Sequence, residues 1–114
     1  DNLGPLLAAG EYANADGKAL MTSLALAYEI QCRICDASQF EYNGFDQFTA
    51  GAYAVASSAS RILELDAEKT ANAIAISGVR QNPLFVTRVG QISHWKGFAY
   101  AGGAHTVLHS IFFS

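Results

Sequence analysis

The residues best equipped for chemistry stand together at Ser93-His94-Trp95-Lys96-Gly97, where an imidazole, an indole and a primary amine precede a glycine. From Gly97 to Ser114 there is no aspartate, glutamate, lysine or arginine, so Lys96 is expected near the first turn of a buried, largely apolar helix. There its ammonium opposes the positive end of the helix dipole. An amine among apolar neighbours gives up its proton more easily, and an anionic ligand is drawn to such a spot. A solvated lysine with its stem laid over apolar surface would look the same in sequence, so Lys96 is a candidate that needs company.

Company is available in two further polar groupings, Asp1-Asn2 and Asp46, and in the rest of the segment from Arg88 to Lys96. In an antiparallel bundle the starts of alternate helices come to one end, which allows Asp1, Asn2, Asp46, Arg88, His94 and Lys96 to converge. Capping alone would also account for Asp1 and Asp46, and solvation for Arg88. His105 and His109 have the four-residue spacing of a metal-binding pair, but no third ligand stands near them in sequence. Cys32 and Cys35 have the spacing of half a zinc site without the other half, and are expected to be small buried side chains on one helix face. No metal and no cofactor is expected.

The elements that must position these groups read as helices. Pro5 suits a first turn that Asp1 or Asn2 caps, giving a helix from about residue 4 to 13, ended by the turn signal Asn14-Ala15-Asp16-Gly17. A second helix, about 18 to 36, places Leu20, Leu24, Ala27, Tyr28 and Ile34 at helical spacing, with Met21, Ala25, Leu26 and Ile30 on other faces. Being apolar on most sides, it is expected in the middle of the fold, with Glu29 and Arg33 paired on its polar remainder. An aromatic loop, residues 37–45, leads to a third helix starting near Asp46, whose small residues Gly51, Ala54, Ser57 and Ser58 allow close packing on two sides. Asp66 caps a fourth helix that Gly78 ends near Ser77. Pro83 and Gly90 break the pattern before a fifth helix from about His94 to Phe112. Three residues beside a proline, Leu84 to Val86, do not make a strand, so the fold class is all-α, with about five helices in an antiparallel bundle-like array.

At 114 residues with 51% hydrophobic and 15% charged content, the chain is one small domain with more apolar surface than it can hide alone. A net charge of −3 with seven scattered basic residues argues against nucleic acid. No basic amphipathic stretch suggests a membrane surface, and the charge-free C-terminal run is interrupted by two histidines and two glycines. No signal-peptide pattern opens the chain, and a cytoplasmic location is expected.

The run Thr87-Arg88-Val89-Gly90-Gln91-Ile92-Ser93-His94-Trp95-Lys96-Gly97-Phe98-Ala99 resembles the MmgE/PrpD family, which includes 2-methylcitrate dehydratase and cis-aconitate decarboxylase. The resemblance continues through Asp1-Asn2-Leu3-Gly4, Ala27-Tyr28-Glu29-Ile30-Gln31, Gly44-Phe45-Asp46 with Thr49 and Gly51, and Leu65-Asp66-Ala67-Glu68. It implies a partial helical domain, a segment of a longer lyase of propionate catabolism that forms a homodimer and takes a small tricarboxylate. It also implies metal-free removal of water or carbon dioxide. Side chains then supply the acid-base work and hold the anion. Lys96, in the family's lysine position, becomes carboxylate clamp or proton donor. Asp46 stands where decarboxylase-like relatives carry histidine, which favours dehydration, and Asp1, Asn2, Arg88 and His94 become substrate-binding candidates. The family's preceding His-Pro pair and later catalytic positions fall outside this sequence, so the isolated chain is expected to be inactive. Gly102-Gly103-Ala104-His105 departs from the family's usual Asn-Ala-Ala-Arg-like run. The rival expectation is a non-catalytic helical interaction or oligomerisation domain derived from that family.

Overall fold

A computed structural model describes residues 1–114. Five α-helices follow one another: α1 (Leu3–Ala13), α2 (Gly17–Ala37), α3 (Phe48–Ile62), α4 (Ala67–Arg80) and α5 (His94–Ile111). Short 3-10 turns at Glu41–Asn43 and Phe85–Arg88 interrupt the two long connections. Asp16 and Asp66 cap α2 and α4 by accepting the backbone N–H three residues on, at 2.7 and 2.8 Å. Ser93 does the same for α5, accepting from the Lys96 N–H at 3.2 Å. Each supplies an oxygen to a donor that a helix start leaves unpaired.

The central helix is α3, not α2. It packs against all four other helices, and twelve of its fifteen residues are buried, whereas α2 buries only Ser23 and Ala27 completely. The physical reason is side-chain size. Glycine, alanine and serine along α3 let four neighbours approach its backbone at once, which the long side chains of α2 prevent. The inward stripe of α2 runs through Leu20, Ser23, Leu24, Ala27, Ile30, Gln31 and Ile34, all buried or half-buried. Tyr28, Cys32 and Cys35 fall off that stripe. The expectation of buried cysteines is therefore corrected: both are exposed free thiols.

Two further expectations change for packing reasons. Gly78 does not end α4, which continues to Arg80. A side chain there would meet the Tyr53 ring and hydroxyl at 2.7–2.8 Å, so the glycine makes room for an aromatic from α3. Nor is α5 buried throughout, since Trp95, Phe98, His105 and His109 are exposed and only six of its eighteen residues are buried. No helix is long and apolar enough to cross a membrane.

Candidate functional site

The site begins with backbone pairing between the two long connections. The Asp46 N–H donates to the Pro83 carbonyl at 2.8 Å and the Phe85 N–H to the Gly44 carbonyl at 2.9 Å, with a single antiparallel bridge between Phe45 and Leu84. Gly44 turns the chain at φ +81°, a left-handed conformation that costs glycine little. This clamp sets Asp46 opposite Arg88, forty-two residues away.

Asp46 is thus not only the helix-start cap that the sequence allows. Its carboxylate is 2% exposed, lies two residues before α3, and accepts the Phe48 N–H at 2.8 Å. Arg88 is not solvated either. Its Nε donates to Asp46 Oδ2 and its Nη2 to Oδ1 at 3.3 Å, so the guanidinium engages the carboxylate with two nitrogens. A buried charge without such a partner is strongly unfavourable, and the fork geometry of arginine suits the task.

Beside this pair lies a chain of neutral groups. Asn2 is fully buried. Its side chain makes no cap for α1 but donates from Nδ2 to Gln31 Oε1 at 2.7 Å and accepts at Oδ1 from the Tyr100 hydroxyl at 3.2 Å. The Tyr100 ring packs edge-on against Phe48 with centroids 4.2 Å apart. Burial pushes the phenol well above its ordinary 10.0, with Tyr28 and Asp46 adding to the rise, while Gln31 and Arg88 oppose it. The hydroxyl therefore stays protonated and available as a donor. Asn2, Phe48 and Tyr100 tie together the starts of α1, α3 and α5, with Gln31 from α2 behind them.

Of the sequence candidates, the structure pairs Asp46 with Arg88 directly and puts Asn2 in the same buried cluster through Tyr100. Lys96 is half-buried one turn before Tyr100, on the same face of α5. His94 and Asp1 are exposed, neither with a side-chain hydrogen bond. Gln31 and Tyr100 were not among the candidates. Their partners lie 29 and 98 positions away in sequence, so no local spacing marks them, although Gln31 stands inside a block resembling the family. His105 and His109 stack with rings 6.2 Å apart, and no third potential ligand joins them.

A cleft of about 140 Å³ opens beside Glu41, Asp46, Gln47, Phe85 and Arg88. Pockets that enclose a ligand begin near ~300 Å³, so this cleft would cover a tricarboxylate on one side only. The largest cleft, about 730 Å³, lies across the aromatic loop between Phe40, Phe45 and Tyr53, and no carboxylate, imidazole or cation lines it. Size favours the second cleft. Of the two only the first offers a cation, Arg88, and there Glu41 and Asp46 line the same space, so a polyanion would have to displace Asp46 from the guanidinium.

The family model described as the MmgE/PrpD N-terminal domain matches residues 1–113. The chain belongs to the MmgE/PrpD family. Its five helices are therefore an MmgE/PrpD N-terminal-domain fold, and the polar end just described belongs to that domain. No solved structure matches the chain.

Proposed function

We propose that this chain is a partial helical domain of a larger MmgE/PrpD hydro-lyase acting on 2-methylcitrate or a related tricarboxylate. The observation that carries the proposal is the meeting of three helix starts through Asn2, Phe48 and Tyr100 beside the Asp46–Arg88 pair, with Lys96 one turn away. In this account Arg88 holds a substrate carboxylate, His94 and Asp1 line the exposed rim, and Asn2 supports from below. Dehydration moves a proton from the carbon beside a carboxylate to a base. The C–H electron pair becomes the new double bond, and the hydroxyl leaves as water after protonation. Asp46 is held by Arg88 until a substrate carboxylate takes over the guanidinium, and then serves as base. Lys96 donates to the departing hydroxyl. The acid at position 46 supports dehydration over decarboxylation, and the work takes place in the cytoplasm of the cell.

A second account, a non-catalytic interaction or homodimerisation domain, draws on a specific feature. Val86, Val89, Ile92, Trp95 and Phe98 are all exposed along one segment that borders the polar end. Large apolar side chains exposed at this density favour association. Calorimetric titration of 2-methylcitrate and cis-aconitate into the chain and its Lys96→Ala variant separates the two accounts. The hydro-lyase account expects millimolar binding to be lost with the lysine. Equal heats from both proteins, together with a dimer by light scattering, would favour the interaction domain.

A further inference from the structure

The start of α5 is held less firmly than its position demands. None of His94, Trp95, Lys96 or Gly97 is buried, and Trp95 and Phe98 face solvent at 45% and 57% exposure. The first buried residue of α5 is Ala99, a small side chain, followed by the half-buried Tyr100. A helix whose first turn has no buried anchor frays and rolls unless the next turn fixes it. Tyr100 supplies that fixation by two different means, a ring packed on Phe48 and a hydroxyl donated to buried Asn2. Room for the hydroxyl is made by Gly51 of α3, where a side-chain carbon would come within 2.9 Å of it. Lys96 stands four residues before Tyr100, so the roll of this turn sets where the amine points.

We propose that Tyr100 is the positioning residue for Lys96, acting through its hydrogen bond to Asn2, which locks the roll of the first turns of α5. The proposal rests on and deepens the hydro-lyase account, because it gives the half-buried lysine of that account a fixed turn to stand on. Tyr100 does not itself touch the substrate. Its hydroxyl is committed to Asn2 inside the bundle, and a phenol keeps its proton across the neutral range. Asn2 is held in turn by Gln31, so the lock runs from α5 through α1 to α2.

Limited acylation with acetic anhydride, read residue by residue by mass spectrometry, tests this without needing substrate. The chain has three lysines, and Lys18 and Lys69, both exposed, serve as internal references. Tyr100→Phe keeps the ring on Phe48 and removes only the hydroxyl. We expect it to raise the acylation rate of Lys96 at least threefold while leaving Lys18 and Lys69 unchanged. Asn2→Ala should do the same, and the double variant should add nothing further. An unchanged Lys96 rate in Tyr100→Phe overturns the proposal, as does an equal acceleration of all three lysines, which would report general loosening. Should Lys96→Ala prove irrelevant to 2-methylcitrate binding while Tyr100→Phe still unmasks Lys96, the hydro-lyase account fails and the positioning role stands.

Discussion

The two ends of α3 are held by different physics. Around Ala54, Ala59 and Ile62 the helix meets Leu6, Ala9, Ala27, Ala73 and Ile111 in a core built largely of methyl groups. Around Phe48 it meets Asn2, Gln31, Asp46, Arg88 and Tyr100, where hydrogen bonds and an ion pair join the starts of three helices. The methyl end depends on shape, since small side chains bring backbones close and dispersion does the rest. The polar end depends on pairing among Asn2, Gln31, Asp46, Arg88 and Tyr100, since each partner removed leaves another buried group unsatisfied; the Thr49 hydroxyl is the buried group there without a partner. A protein with no task at the polar end could fill it with methyl groups as well. The proposed function takes the buried ion pair at that end as a binding feature.

The contrast can be broken most severely at the ion pair. Arg88→Ala leaves the Asp46 carboxylate buried beside the Phe48 N–H alone, and we expect a loss of ~3 kcal/mol in urea unfolding at neutral pH. A loss under ~0.5 kcal/mol would place the pair with ordinary surface bridges. The next effect tests shape at the same end. Gly103→Ala would put a carbon 2.2 Å from the Phe48 ring and 2.9 Å from Gln81 Nε2. Alanine gains up to ~1 kcal/mol in helix propensity, but overpacking a full core costs ~1–3 kcal/mol, so the clash should win by ~1 kcal/mol or somewhat more. Thermal melting reads that balance directly.

At the methyl end the sign should reverse. The hydroxyls of Ser58 and Ser60 are buried without a partner, so replacing either with alanine should stabilise the chain by ~1 kcal/mol. Destabilisation by either change would mean that the hydroxyls are paired in solution. The smallest effect concerns alkali. Because burial holds the Tyr100 proton more tightly in the folded chain than in the unfolded one, its contribution to stability is complete below pH 10.0. It declines as pH climbs beyond that value and is gone once pH has passed the raised folded pKa. In Tyr100→Phe the alkaline decline should be shallower, as measured by urea unfolding across pH 8 to 11.

Helix number and order were legible because caps and breakers are local. Asp66 sits where a cap must, and Pro5 sits in a first turn. The resemblance blocks marked Asp46, Arg88 and Lys96, and convergence of alternate helix starts follows from antiparallel connectivity. What escaped was everything decided by partners far along the chain. Nothing beside Gly78 announces Tyr53, nothing beside Asn2 announces Tyr100, and Gln31, a polar residue that hydropathy counts against the core, turns inward to accept from Asn2. The cysteines were misplaced for the same reason. A helix with apolar residues on several faces does not state which face its neighbours will choose.

The claim on which the account turns is that function resides at the polar end of α3. Titration of 2-methylcitrate followed by amide chemical shifts addresses it residue by residue. The account predicts shifts confined to residues 1–2, 45–49 and 85–100, with Ile62 and Leu65 unmoved, and their disappearance in Lys96→Ala. Shifts centred on the methyl end, or a pattern that survives loss of the lysine, would contradict it.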